Sequence, residues 1–302
     1  MSDSLTIGIA GVTFSIQATD RNTLITPPND PAYQPFLLTK KPDTVDIQVL
    51  ISQAPVDFAK AIELPRLFDG GGAWELFGNT NEYIITLNPN KQTAPLWTIT
   101  ADPGFTRLTA YAHPDLIKRL NGRPVIPCPI VYPLDQIVLI HHLANRRGLL
   151  VHCAGLDCQG QGIIFPGPSG AGKSSVSRLL QSTNNVVMLS DDRMVIRQIH
   201  NRIHMCGTPW AGDAKIAVNR KSQLGAICFL THADDNRLAH LTPDQALKRL
   251  LPVASLPWYA REILPQMLDL CGNVLKQVPA FELQFCLNKD LADILADILQ
   301  GS

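Results

Sequence analysis

Two hydrophobic patterns divide the chain near residue 128. Before that position, apolar and polar residues alternate over short runs separated by turn formers such as Asp102-Pro103-Gly104, which is typical of half-buried strands. These runs cover residues 6–11, 12–18, 45–51, 73–78, 82–88, 96–101 and 106–112. Helical turns are predicted near 56–67 and 114–121. We therefore predict a β-rich N-terminal domain over residues 1–128, ended by a proline-rich stretch, 123–133, that we interpret as a linker.

Strands and helices are interspersed in the second predicted domain, residues 129–302. The predicted helices cover residues 134–145, 243–252 and 259–277, and a last one is capped by Asn288. The predicted strands cover residues 149–157, 162–167, 186–190, 193–199, 202–207, 224–230 and 281–287. The strand 162–167 follows an antiparallel partner across a tight turn at Gly160, whereas a doubly wound nucleotide-binding sheet alternates strand and helix. We therefore expect an α/β fold with a mixed sheet in this domain.

The composition of the chain argues against several classes of function. Lys+Arg and Asp+Glu both number 26, so no charge excess favours nucleic acid or an anionic membrane surface as a partner. The chain has no apolar run of about 18 residues and no basic, apolar leader, so we expect neither a membrane span nor secretion. The seven cysteines include no C-x-x-C pair, which favours unpaired thiols in a reducing compartment, and we expect a cytoplasmic protein.

The stretch GPSGAGKSS fits the pattern G-x-x-x-x-G-K-[ST] of a phosphate-binding P-loop. The candidate nucleotide-binding residues are Gly167, Pro168, Ser169, Gly170, Ala171, Gly172, Lys173, Ser174 and Ser175. In such a loop the glycines let the backbone turn its N–H groups inward, Lys173 reaches the terminal phosphates, and the Ser174 hydroxyl joins a Mg²⁺ shell. An apolar strand precedes the stretch and a helix pattern follows it, which favours ATP and Mg²⁺ binding over a chance glycine-rich turn. GTP stays open, because no base-reading motif is visible.

Two acidic residues follow a buried strand, where P-loop enzymes hold their metal. Asp191 and Asp192 come directly after the apolar run 186–190. One carboxylate could hold the metal while the other accepts the proton of an incoming hydroxyl; the alternative is a pair of solvated turn carboxylates. The other acidic pair, Asp234-Asp235, lies in a polar loop, and we expect it at the surface.

A histidine is expected beside the loop. If the hairpin turns about Gly160, antiparallel counting places His152 opposite Pro168, and a slip of one residue would turn its side chain to the other face. A hydrogen-bonded structural histidine is an equal alternative. His141-His142 falls on a predicted helix and is expected to be structural.

These motifs together resemble a known family. His152, then GPSGAGKS, then LSDDRMVI follow one another as in the catalytic domain of HPr kinase/phosphorylase, which phosphorylates a serine of a small carrier protein. The resemblance covers roughly residues 148–220. It implies a P-loop-containing fold related to phosphoenolpyruvate carboxykinase, with a mixed sheet.

The resemblance also implies roles for the matching residues. Lys173 and Ser174 would serve phosphate and metal, and His152 would lie near the reacting phosphate. Asp192 would be the base that accepts the serine proton, and Asp191 its neighbour on the metal side.

The chain departs from that family after the acidic pair. The family's Glu-x-Arg-Gly-Leu-Gly-Ile-Ile signature is replaced by CGTPWAGDAK, so the resemblance does not extend to the phosphorylase activity. Gly207-Thr208 is expected to keep the close backbone approach, and Asp213 is a candidate metal ligand in place of the missing acid. Trp210 is expected in the core, with a substrate contact as the alternative. The β-rich N-terminal part does not resemble that family's regulatory domain.

We therefore predict an ATP-dependent kinase that transfers the γ-phosphoryl group to a serine of a peptide or protein. Similar stand-alone kinase-like proteins are associated with modified-peptide pathways, where they phosphorylate a peptide serine. A small-molecule kinase with a closed acceptor pocket and a non-catalytic, nucleotide-dependent binding module are the alternatives. The oligomeric state, including a homo-oligomer, is left open.

Overall fold

The computed structural model describes residues 1–40, 42–54, 63–89, 94–181, 186–287, 291 and 294. It has a mixed α/β architecture of large mixed sheets and few helices. Contacts between Cα atoms divide the described chain into two units, Met1–His142 and Leu143–Ser302. This division falls inside a helix, beyond the predicted boundary at residue 128.

A large mixed sheet organises the first unit. Its strands are β1 (Ser4–Ile9), β2 (Val12–Ala18), β4 (Ile47–Ser52), β5 (Arg66–Asp69), β6 (Trp74–Gly78), β7 (Tyr83–Leu87), β8 (Trp97–Ala101) and β9 (Arg107–Ala112). They follow the order β1-β2-β4-β9-β8-β7-β6-β5. Neighbouring runs on either side of a predicted turn pair as the antiparallel hairpins β1–β2, β6–β7 and β8–β9, and β4 joins them by pairing parallel to β2 and to β9.

A small second sheet corrects the predicted linker. Strands β3 (Leu24–Thr26), β10 (Lys118–Leu120) and β11 (Arg123–Pro127) lie in the order β10-β11-β3. The linker prediction was wrong for the residues of β11. Its two prolines do not prevent the buried Val125 and Ile126 from pairing with β3. The helical prediction at 114–121 holds only for a 3₁₀ turn at Pro114–Leu116, since β10 follows. In the prediction at 56–67, residues 56–62 lie outside the described residues, and β5 begins at Arg66.

The predicted helix after Pro133 is confirmed as α1 (Leu134–Ala144). His141 and His142 are both buried on it, as the structural interpretation requires. The Nδ1 of His141 lies 2.9 Å from the Ile137 carbonyl oxygen, and its ring stacks on Phe105 with centroids 4.3 Å apart. Because a carbonyl only accepts, Nδ1 carries the ring proton and donates it.

The second unit is built from longer strands and a few helices. Its strands are β12 (Gly148–Cys158), β13 (Gln161–Pro166), β14 (Val186–Ser190), β15 (Arg193–Ile199), β16 (Arg202–Cys206), β17 (Lys221–His232), β18 (Arg237–His240) and β19 (Ala280–Phe285). Its helices are α2 (Lys173–Gln181), α3 (Pro243–Leu250) and α4 (Leu264–Gln277). The capping box of Thr242 and Gln245 confirms the predicted start of α3. Helix α4 starts later than the predicted residue 259, with Pro265 in its first turn. Asn288, the predicted cap of the last helix, lies outside the described residues, as do most positions after it, while Leu291 and Ile294 are described and helical.

Within the described residues, five strands of this unit close on themselves. β12 pairs with β13, β13 with β17, β17 with β16, β16 with β15, and β15 again with β12. Each strand of the ring is paired with the next, so paired residues can be traced round it from Gly148 on β12 back to Cys158 on the same strand. The residues met in turn are Gly148, Arg197, His204, Gln223, Gln161 and Cys158. The strands are therefore staggered by ten residues of β12, from Gly148 to Cys158, which is the shear that a closed barrel requires.

Two glycines leave space for the side chains that fill the barrel interior. A Cβ atom at Gly155 would lie 2.7 Å from Met194 Cε, and one at Gly162 would lie 2.6 Å from Met205 Cε. Both methionines are fully buried. Small and large residues thus alternate where side chains fill this narrow barrel.

Beyond the barrel, β17 continues as the centre of an open sheet. It pairs parallel to β19, and β18 pairs antiparallel to β19. Helix α2 covers this region by packing Val176 into a cluster that includes Ile163, Phe165 and Phe285. Because β13, β17 and β19 run parallel, their carboxyl ends lie at one edge, which is where ligands bind in open α/β sheets.

The described residues contain unpaired cysteines and no helix long and apolar enough to cross a membrane. Burial raises the pKa of the Cys128 thiol to about 12 and that of Cys206 to about 11. Trp210 is buried, as expected for a core residue.

The Val218 backbone lies so close to Gly207 that one added methyl group should strongly lower the stability of the fold. A Cβ atom there would lie 2.0 Å from the Val218 carbonyl oxygen, a backbone atom that cannot swing away, whereas Gly272 in α4 has open space around it. We expect Gly207→Ala to lower the unfolding free energy by about 1–3 kcal/mol and Gly272→Ala to raise it by about 0.5–1 kcal/mol. Urea denaturation followed by circular dichroism measures both; equal midpoints would contradict the close approach.

The buried His141 predicts acid sensitivity of the first unit. Burial lowers its pKa from 6.5 to about 4, against the opposing bond to the Ile137 carbonyl. The unfolded state then binds the proton more readily, so this stability is present above about pH 6.5 and is lost as the pH falls to about 4. The loss is roughly 3 kcal/mol. The non-titrating variant His141→Gln should show a shallower decline in thermal stability over this range; parallel curves would rule the effect out.

Candidate functional site

The glycine-rich loop 167–172 connects β13 to α2 at the carboxyl edge of the parallel strands. Gly170 and Gly172 have φ values of 83° and 91°, which other residues rarely adopt. A Cβ atom at Gly167 would lie 2.9 Å from Ala171 Cβ, and one at Gly172 would lie 2.4 Å from Phe285 Cζ. The glycines in the sequence motif are therefore required by the loop's own conformation and packing.

Helix α2 begins directly at the end of this loop. Lys173 is its first residue, and the first N–H groups of a helix have no partner within the helix. Ser174 and Ser175, which follow, line a cavity in front of the helix N-terminus. The partial positive charge of a helix N-terminus favours an anion at this position.

The Lys173 ammonium is held over the loop. Its Nζ donates to the carbonyl oxygens of Gly167 and Pro168, both at 2.8 Å, and lies 3.4 Å from His152 Nε2. Burial lowers its pKa, against the opposing charge of Asp192. A cation that is only partly compensated therefore lies beside the helix N-terminus.

The pairing of β12 with β13 places His152 at this loop, although the predicted register was wrong. Cys153 lies opposite Pro166, and the Gly167 N–H donates to the His152 carbonyl at 3.2 Å, so His152 faces Gly167 instead of Pro168. The reason is a two-residue turn, Gln159-Gly160, with φ values of 55° and 92°, in place of a turn centred on Gly160. The His152 side chain nevertheless reaches Lys173.

The His152 ring joins Lys173 to the acidic pair. Its Nε2 lies 3.1 Å from Asp192 Oδ1, and Arg193 Nε lies 3.3 Å from the other oxygen of the same carboxylate. One nitrogen thus faces both an ammonium, which donates, and a carboxylate, which accepts. A proton on Nε2 serves Asp192, whereas a proton on Nδ1 leaves Nε2 to accept from Lys173.

Burial and the neighbouring Lys173 charge favour the neutral form of His152. Burial lowers its pKa most, the Lys173 charge lowers it further, and Asp192 opposes both. Because the ordinary pKa of 6.5 is already below neutrality, the neutral form of the ring predominates at pH 7. It can therefore exchange a proton between its two nitrogens without adding charge.

Asp191 holds a backbone loop. Its Oδ1 accepts from the Gly212 N–H at 2.8 Å, and its Oδ2 accepts from the Ala214 N–H at 2.7 Å, while the residue is almost fully buried. A Cβ atom at Gly212 would lie 2.8 Å from Asp191 Oδ2. Asp213 stands between the two donors with its side chain exposed. The acidic pair thus differs in environment, since Asp192 is half-buried and contacts side chains.

A cavity of about 540 Å³ brings the predicted residues together. Its lining includes His152, Ser169, Gly170, Gly172, Lys173, Ser174, Ser175, Asp191, Asp192 and Asp213. Gly167 and Pro168 contribute carbonyls to Lys173, and Ala171 lies within the loop. Three carboxylates, a buried amine and a neutral histidine therefore face one open space.

Sequence reasoning missed two lining residues, Gly212 and His232. Gly212 lies in a segment without hydrophobic periodicity. His232 ends β17, the parallel neighbour of β13. Parallel pairing places its strand end near the loop, but no local pattern reveals which strands are neighbours.

The candidate metal ligands do not form a preformed cage. Among the described residues, no three His, Cys, Asp or Glu side chains are grouped to hold a metal ion. Ser174, Asp191 and Asp213 line the same cavity, but Asp191 already accepts from two backbone donors.

No protein-family model and no curated protein matches the chain. Among solved structures, the HPr(Ser) kinase/phosphatase from Coxiella burnetii is similar over 50% of this chain and 88% of its own, with 13% identity and a TM-score of 0.31. These values describe a distant likeness in the arrangement of part of the chain.

The two environments of Asp191 and Asp213 predict different effects on stability. In Asp191→Asn an amide NH₂ replaces one acceptor and faces a backbone N–H, so we expect a loss of about 1–3 kcal/mol. In the matched variant Asp213→Asn, the exposed side chain should change the unfolding free energy by less than about 0.5 kcal/mol. Urea denaturation compares them. Equal stabilities would show that Asp191 does not hold the loop.

Proposed function

We propose that the chain is an ATP-dependent kinase that transfers the γ-phosphoryl group of ATP to a serine hydroxyl of a peptide or protein. The observation that carries this proposal is the meeting of Lys173, His152 and Asp192 in front of a helix N-terminus. Phosphoryl transfer depends mainly on positioning and on stabilising charge, and these groups supply both.

The site suits a nucleotide phosphate. The loop leaves backbone N–H groups at the start of α2, and Lys173 adds a cation whose two bonds to carbonyl oxygens an anion would replace. ATP supplies the transferred group, and Mg²⁺ offsets charge on its oxygens. Ser174, with Asp191 or Asp213, would hold the metal, because Mg²⁺ in such sites typically uses one or two carboxylates together with phosphate oxygens and water.

Asp192 accepts the proton of the attacking hydroxyl in this proposal. Its carboxylate is fixed by His152 on one oxygen and by Arg193 on the other, yet it remains open to the cavity. Asp191 is less suited to this role, because both of its oxygens accept from backbone donors.

His152 orients the carboxylate in this proposal. As a neutral ring it donates to Asp192 through Nε2. When the proton is on Nδ1 instead, Nε2 accepts a hydrogen bond from Lys173. The serine acceptor itself is taken from the resemblance of the sequence motifs.

The test is transfer of label from γ-labelled ATP by the unmodified chain and by Asp192→Asn, with a cell extract as the source of acceptors. Loss of a general base costs about 10²–10⁴-fold in rate, so Asp192→Asn should transfer that much more slowly while binding ATP as before. The surface variant Asp235→Asn is the matched control and should transfer at the unaltered rate.

The location of the label decides between the rival functions. Label on protein serine supports the proposal, and label on a metabolite would identify a small-molecule kinase. Label on neither would indicate a binding module. An unaltered rate in Asp192→Asn together with an inactive Asp191→Asn would reverse the two carboxylate roles.

A further inference from the structure

The loop 167–172 lies between two chemically different walls. It follows β13, which pairs with β12 on one edge and with β17 on the other. The β12 side carries the charged groups, because His152 lies on β12, and Asp191 and Asp192 lie between β14 and β15, which also pair with β12. The β17 side contributes His232 to the cavity. One wall is therefore acidic and the other aromatic.

The His232 ring is held in place from behind. It packs against Phe285 with centroids 4.7 Å apart and planes tilted by 40°, and Phe285 itself is almost fully buried. The missing side chain of Gly172 admits both rings, since a Cβ atom there would lie 2.4 Å from Phe285 Cζ and 3.3 Å from His232 Cε1. The rest of His232 is exposed and lines the cavity.

The proposed chemistry fixes the direction of a bound nucleotide. The reacting phosphate must lie within reach of Asp192, on the acidic wall. The nucleoside is at the other end of the triphosphate, so it extends toward the opposite wall, where the described lining is the exposed and supported aromatic ring of His232. Nucleobases stack on aromatic side chains, histidine included.

We propose that His232 binds the nucleoside part of the nucleotide by stacking, and thus positions the triphosphate along the loop. This inference rests on the proposed function. Stacking is tolerant of base identity, so His232 would contribute affinity for a nucleoside without selecting ATP over GTP.

The test measures binding of MgATP and of magnesium tripolyphosphate, which lacks the nucleoside, by calorimetry on the full chain. His232→Ala should weaken MgATP binding by about tenfold to a hundredfold and leave tripolyphosphate binding unchanged. His232→Phe keeps an aromatic face and should retain most of the MgATP affinity.

The chain offers a matched control in His240. Its ring is also exposed and tilted against a buried phenylalanine, Phe281, with centroids 4.4 Å apart, but it does not line the cavity. His240→Ala removes the same kind of contact and should bind both ligands as the unmodified chain does. Thermal unfolding of each variant checks that it is folded.

The outcomes separate this inference from the proposed function. If His232→Ala binds MgATP as tightly as His240→Ala does, the inference is wrong and the kinase proposal stands. If His232→Ala weakens both ligands equally and His232→Phe does not restore binding, the ring contacts phosphate, which also overturns it. If the unmodified chain binds neither ligand, the proposed function fails and takes this inference with it.

Discussion

The antiparallel pairing of β12 with β13 is the interaction on which the second unit depends. The turn Gln159-Gly160 fixes its register, and that register places His152 at the first residue of the glycine-rich loop. The same two strands anchor the rest of the unit, since β12 also pairs with β14 and β15, and β13 with β17. A change in this register would move His152 relative to the loop and disrupt the closed barrel.

Closure of the barrel explains why the cavity can hold so many charged groups. A closed ring of strands leaves no free edge between them, and its narrow interior is filled by methionines that pack over glycines. Packing inside the barrel, which lies away from the cavity, therefore fixes the positions of the strand ends. Asp191 extends this rigidity to residues 212–214 by accepting from their backbone. Asp192, His152 and Lys173 can then be arranged for chemistry, because other residues maintain the fold.

Local patterns predicted the features that depend on local causes. The glycines and lysine of the loop, the hairpins with tight turns, and the capped helix α3 all follow from a few neighbouring residues. The features that were missed depend on distant pairing or on exceptions to local rules. β11 forms despite its prolines because its buried valine and isoleucine meet β3, and His232 reaches the cavity because β17 is parallel to β13. The hydrogen bond from the Gly212 N–H to Asp191 could not be predicted, because no local pattern shows that the two residues are close in space.

The proposed activity requires that the loop between β13 and α2 binds the phosphates of a nucleotide. Calorimetric titration of MgATP into the unmodified chain and into Lys173→Ala tests it most directly, with thermal unfolding as a check on folding. The unmodified chain should bind MgATP measurably and Lys173→Ala should not, because the variant lacks the cation that neutralises the phosphates. Undiminished binding by a folded Lys173→Ala would contradict it.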